Sequence, residues 1–275
     1  VSAPSPVFVR RFDAYDRVLH GLLMCSFLGL AATGLPLLFS DEAWARRLSH
    51  VLGSFEVAGW FHRFFALLLI TVFSLHLTRV IKRVVRQKDY GMLWGPRSMV
   101  PQPRDLTDLI QHFKWFLGMG PRPSFDRFTY WEKFDYMAVF WGVVVIGSTG
   151  LCLWFPELFT RVLPGWSINV ATIIHSDEAL LATGFIFTIH FFNTHFRPEK
   201  FPMDPVIFTG SMSLAELEHD RPELYQRLKE SGELEAHLVD APSPAFSKVV
   251  RVFGMTALTV GLTLAALILY ALVKS

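Results

Sequence analysis

Val57–Leu77 reads VAGWFHRFFALLLITVFSLHL. A bilayer core about 30 Å thick takes about 20 residues of helix at about 1.5 Å each, so this stretch is long enough to cross one. Its only ionisable side chains are His62, Arg63 and His76. Four more stretches have the same character: Val18–Phe39, Phe134–Phe155, Ile168–Phe196 and Val252–Val273. None alternates apolar and polar residues as a barrel strand of about 10 residues would. The fold expected is all-α, a transmembrane helical bundle. Composition agrees, with 52% hydrophobic and 18% charged residues over 275 positions and a mean hydropathy of +0.36. Disorder and a disulfide-stapled secreted domain are excluded, since the two cysteines, Cys25 and Cys152, lie inside apolar blocks. A net charge of +2 speaks against a nucleic-acid partner. The first block is too long, and too rich in Gly and Pro near its end, for a cleavable signal sequence, and is expected to be retained.

Lysine and arginine set the expected orientation, because they concentrate on the cytoplasmic side. Those in the segment before the first span, the second-to-third connection and the fourth-to-fifth connection far outnumber Arg46, Arg47, Arg63, Arg161 and Lys274 on the other side. The N-terminus is therefore expected in the cytoplasm of a cell whose inner membrane holds this multi-pass chain. Residues 1–199 read as a four-helix core with a cytoplasmic loop at 86–132. Residues 200–247 read as a charged cytoplasmic helical segment, with a helix pair over Ser213–Ser231 broken at Pro222, and 248–275 as the last span. Within the loop, Asp105–Leu117 reads as an amphipathic helix with Asp105 as N-cap. The fifth span carries no charge or histidine over Val252–Val273 and reads as an anchor or a subunit contact.

Ionisable residues within a bilayer are expensive and usually face a bundle interior. Six of the ten histidines fall in these stretches: His20, His62, His76, His175 and His190, with His195 at the very end of the fourth. His62 and His76 are 14 residues apart, within about 40° of one helix face, and His175 and His190 are 15 apart, within about 60°. Each helix thus offers an imidazole at two depths about 21 Å apart. Because the second and fourth spans run in the same direction, His62 and His175 share the outer level, and His76 and His190 the inner. His20, at the start of the antiparallel first span, also lies at the inner level. Facing imidazoles at two depths of a bundle are what two bis-histidine haems require. An aromatic content of 15% suits a flat apolar macrocycle, and Gly29, Gly34, Gly142, Gly147, Gly150 and Gly184 would let it approach the backbone. Zinc would want three or four ligands at one level, and covalent haem attachment would want C-x-x-C-H, which is missing from the sequence.

These residues resemble a known family, the membrane-embedded di-haem cytochrome b subunits of formate dehydrogenase and their relatives in hydrogenases and thiosulfate reductases. The matching pieces are Arg17-Val-Leu-His20-Gly, His62-Arg-Phe-Phe-Ala, Lys133-Phe-Asp-Tyr-Met-Ala-Val-Phe-Trp-Gly142, the pair His175 and His190, and Arg221-Pro-Glu-Leu-Tyr225. The resemblance covers about residues 10–230. It implies four haem-binding helices plus a fifth, with the outer b-type haem on His62 and His175 and the inner on His20 and His190. Spacing alone would pair His76 with His190, and a third haem on His76 or His195 is a further alternative. The family's spacing in the fourth span is one residue shorter than here, which implies a local bulge.

The stretch from His190 to Asp204 has two readings. One is interfacial anchoring, with Arg197 and Lys200 at the headgroups. The other is a quinone or menaquinone pocket, which needs an apolar slot, a few donors and protonatable groups. The resemblance places such a pocket near the inner haem, with Lys133, Asp135, Asn193, His195 and Arg197 as candidates. It also implies a periplasmic or membrane-anchored redox partner, an iron–sulfur protein or a multihaem cytochrome c. The resulting expectation is an electron-transfer subunit of a respiratory oxidoreductase, with the other substrate's chemistry in the partner. The rivals are a self-contained reductase of the cytochrome b561 type, which would use His76, a histidine-lined metal transporter, and a structural anchor. A transporter predicts carboxylates or broken helices at the midplane. Asp135 stands near a span end, and no mid-span Asp or Glu is expected.

Overall fold

In lipid every backbone N–H and C=O must be satisfied within its own segment, and apolar stretches of this length answer by forming helices. In the computed structural model, which describes residues 7–274, five helices are long and apolar enough to cross a membrane. They are α1 (Ala14–Leu38), α3 (Phe55–Ile81), α5 (Tyr130–Trp154), α7 (Trp166–Phe185) and α11 (Pro244–Lys274). Helix α3 runs on into a π turn at Lys82–Arg86, and α7 into two more, at Ile186–His190 and Phe192–Phe196. A π turn spends one residue more than an α turn, and the first of the two on α7 ends at His190. Short helices fill the connections: α2 (Ala43–Val51), α4 (Pro103–Phe116), α6 (Pro156–Phe159), α8 (Val206–Thr209), α9 (Leu214–Asp220) and α10 (Pro222–Glu230).

Chain contacts divide the protein into two compact units of interleaved segments. One comprises Leu19–His76, Val139–Asp204 and Arg251–Ser275. Its core joins Ala31 and Leu35 of α1, Phe187 and Phe191 of the α7 extension, and Leu258, Leu264 and Ile268 of α11. Phe27 meets Phe187 edge to face at 5.8 Å. A Cβ on Gly261 would stand 2.7 Å from the Phe191 ring and 2.8 Å from Phe187, so this glycine lets α11 close on α7. The last span, read from the sequence as an anchor or a subunit contact, packs along one face into its own chain's core. Lys274 at its end pairs with Glu42 at 3.2 Å.

The other unit comprises the N-terminal segment through Val18, Leu77–Ala138 and Pro205–Val250. Within a mostly helical chain, as expected, this unit also holds a small sheet. Three short strands, β1 (Phe8–Arg10), β2 (Ser211–Ser213) and β3 (Leu238–Val239), form an antiparallel sheet in the order β2-β1-β3. Val9 opposes both Met212 and Leu238, turns inward and is 1% exposed. Helices α9 and α10 break at Arg221, before Pro222, as the sequence suggests. They are more than a solvated pair, since Leu217, Leu224 and Leu228 close a core with Val9, Val206 and Met212. Each such aliphatic side chain contributes about 1.5–3 kcal/mol on burial.

Ion pairs tie this unit together. Arg221 reaches Glu132 at 2.9 Å and Arg227 reaches Asp126 at 2.7 Å. Arg11 and Arg127 donate to each other's backbone carbonyls at 2.7 and 2.8 Å. Helix α4 starts one turn earlier than expected. Its N-cap is Gln102, Pro103 takes the first helical position, and Asp105 closes a capping box by accepting from the Gln102 backbone N–H at 2.6 Å. Asp105 also receives Lys133 Nζ at 2.8 and 3.1 Å.

Candidate functional site

The two histidines expected at the outer level meet. His62 on α3 and His175 on α7 have ring centroids 6.2 Å apart with planes at 77°. Two imidazole–metal bonds of about 2.0–2.1 Å, plus about 1.1 Å from each nitrogen to its ring centre, add up to about 6.3 Å between centroids. The spacing leaves room for one metal atom between the rings, and it also falls within the about 4.5–7 Å of an edge-on ring pair.

Each ring is held by a Thr-Gly pair on a neighbouring helix. On α1, the Thr33 hydroxyl donates to Gly29 O at 2.7 Å, so its oxygen accepts from His62 Nδ1 at 3.1 Å. On α5, Ile146 O accepts from His175 Nδ1 at 3.0 Å, and Thr149 Oγ1 lies 3.3 Å from the same nitrogen. A carbonyl can only accept, so Nδ1 of His175 carries the ring proton, and the same logic assigns the proton of His62. Both neutral rings keep their lone pair on Nε2, the arrangement in which a metal-binding histidine is oriented by its other nitrogen.

The glycines complete the cradle. A Cβ on Gly34 would stand 2.9 Å from His62 Cε1, and one on Gly150 would stand 3.0 Å from His175 Cε1. Glycines expected to admit a macrocycle thus admit the histidine rings. Gly29 makes room for Phe65, whereas Gly147 and Gly184 face open space. The two Thr-Gly pairs were missed in the sequence. Their signal was available as Thr33-Gly34 and Thr149-Gly150, but nothing in one dimension says which histidine each meets.

At the inner level, His20, His190 and His195 lie within electrostatic reach of one another. His76 packs its ring edge-on against Phe140 at 6.3 Å. His195 is buried and its Nδ1 accepts from the Asp204 backbone N–H at 3.2 Å. Its neutral ring therefore carries the proton on Nε2, the reverse of His62 and His175. Lys200, read as a headgroup anchor, is instead buried and paired with Asp204 at 3.4 Å. Asn193 and Arg197 are half-buried in the same segment. Lys133 and Asp135, both buried, belong to the other compact unit, where Lys133 is committed to Asp105.

The expectation that no carboxylate stands mid-span is overturned by Asp177 and Glu178 on α7. Asp177 is exposed, while Glu178 accepts from the Trp141 indole N–H at 3.3 Å. Among the described residues no three His, Cys, Asp or Glu side chains gather as a cation site. A paired-imidazole centre needs only two protein ligands, and the side chains at His62 and His175 fit a bis-histidine haem. Comparison with protein-family models and with curated proteins finds no match for this chain.

Proposed function

We propose that this protein is a di-haem b-type cytochrome that carries electrons between a redox partner on the periplasmic side and the membrane quinone pool. The observation that carries the reading is the His62–His175 pair, 6.2 Å apart with both Nδ1 protons already engaged. The outer haem is assigned to these two residues, and the inner to His20 and His190, which lie within electrostatic reach. When bound, such groups supply one-electron transfer at the potential set by their ligands and surroundings. Thr33 and Thr149 orient the ligands, and Gly34 and Gly150 give the rings room to sit. Phe27, Phe187 and Phe191 line the inside of the bundle with apolar surface that excludes water.

Quinone binding is assigned to the cytoplasmic end of the α7 extension. There His195 holds its proton on Nε2, available to a quinone oxygen, and Asn193 and Arg197 add donors. Orientation, with the N-terminus in the cytoplasm of an inner membrane, follows from the lysine and arginine distribution. The partner assigned is an iron–sulfur or multihaem c-type subunit, where chemistry on any other substrate takes place.

The test is a reduced-minus-oxidised spectrum of the purified protein with pyridine-haemochrome quantitation. Two haems per chain are expected, falling to one in His62→Ala and in His175→Ala. A colourless protein overturns the reading. It would favour a histidine-lined transporter, for which the mid-span carboxylates Asp177 and Glu178 are the supporting observation.

A further inference from the structure

Helix α4 lies in the connection between two spans and is fastened at the start of the third. Lys133 Nζ holds Asp105 at 2.8 Å, and His112 Nδ1 meets the hydroxyl of Tyr130, the first residue of α5, at 3.0 Å. These contacts use one face of α4. At 100° per residue, Leu106, Ile110, Phe113 and Leu117 fall within a sector of about 60° beside that face. They are 61%, 48%, 61% and 70% exposed. Apolar surface of this extent on a single helix asks for a cover. The adjacent loop extends it, since the Gln102 side chain grips the Gly95 backbone at 3.0 Å, next to Trp94, itself 65% exposed.

The charges indicate what the cover is. The acids of α4 are turned to protein partners: Asp105 to Lys133, and Asp108 to Arg104 at 3.6 Å. Lys114 stays exposed at the margin of the apolar face, and Arg122 beyond the helix lies over the Trp115 ring at 5.7 Å. An apolar stripe with basic and tryptophan margins, tethered to the first turn of a membrane-spanning helix, has the make-up of a helix lying in the headgroup plane. The geometry points to α4 as an interfacial helix that rests on the leaflet of its own membrane, with Leu106, Ile110, Phe113 and Leu117 seated among the acyl chains and the basic margin on anionic headgroups. This holds whatever the spans carry, so it does not depend on the haem reading.

Spin labels test it in the full chain reconstituted in nanodiscs of phosphatidylethanolamine and phosphatidylglycerol. Labels are placed at Ile110→Cys and Phe113→Cys, and about 90° and 130° round the helix from the centre of the apolar sector at Thr107→Cys and Gln111→Cys. The unsubstituted chain, labelled in parallel, supplies the background from Cys25 and Cys152. Labels at 110 and 113 should relax more with oxygen than with a water-soluble nickel chelate, and labels at 107 and 111 the reverse. Equal access of the chelate to all four positions overturns the proposal by placing the helix in water. Exclusion of both reagents from 110 and 113 overturns it by showing a protein cover, whether a second copy or a partner subunit.

Discussion

Replacing Gly34 with a larger residue presses directly on His62, the ligand proposed for one haem. The added Cβ would stand 2.9 Å from His62 Cε1 and 3.3 Å from its Nδ1. Carbon atoms settle at about 3.5–4.0 Å, so the ring must retreat by about 0.6–1.1 Å. Metal–ligand distances tolerate only about 0.2 Å. Overpacking of this kind costs about 1–3 kcal/mol, which at tenfold per about 1.4 kcal/mol weakens the outer site by about 5- to 150-fold. Gly34→Ala should sit at the low end and shift the low-spin electron paramagnetic signal of the outer haem. Gly34→Val, with two further methyl groups, should take haem content from two per chain to one. Gly147→Val is the control, because a Cβ there meets open space. Pyridine-haemochrome quantitation per chain, with the paramagnetic spectrum beside it, reads the result. Two haems and an unaltered spectrum in Gly34→Val would refute the cradle argument, as would equal loss in Gly147→Val.

Three other outcomes are expected. His20→Ala should remove the inner haem and His76→Ala should leave it; the opposite pattern in the optical spectra would transfer the ligand role to His76. Leu217→Ala, at a site with 0% exposure, should destabilise the unit built on the three-stranded sheet by about 2–5 kcal/mol. Limited proteolysis of the connection after α7 reads that loss, and a change under about 0.5 kcal/mol would mean the core is not packed as described. The Arg79 guanidinium beside Asp13 holds its carboxyl below the ordinary value of 3.8. A depressed folded value means the contribution is complete above about pH 5 and is withdrawn as pH falls through 3.8 to the lower folded value. The melting deficit of Asp13→Asn should therefore be full at neutral pH and vanish in acid, within the about 0–1 kcal/mol typical of an exposed pair. A deficit independent of pH would remove the ion pair as its cause.

Much of this architecture is written in one dimension because lipid makes few demands. An apolar stretch of about 20 residues has helix as its way of satisfying its own backbone, and helical periodicity then places His62 and His175 at one depth. The sheet of Phe8–Arg10, Ser211–Ser213 and Leu238–Val239 is not legible. Its strands are two or three residues long, too short for any alternation to register, and they meet across some 200 positions of chain. Asp177 and Glu178 are legible in the sequence and contradict the expected absence of mid-span carboxylates.

The candidate site divides along the same line. Residue type and spacing are enough to nominate the histidines, because an imidazole in hydrocarbon is costly and needs a reason. Only the folded chain decides which nitrogen of each ring keeps its lone pair, since Thr33, Ile146 and Asp204 reach His62, His175 and His195 from other parts of the sequence. Tautomer and orientation depend on hydrogen bonds between segments, and those bonds exist only once packing has brought the segments together.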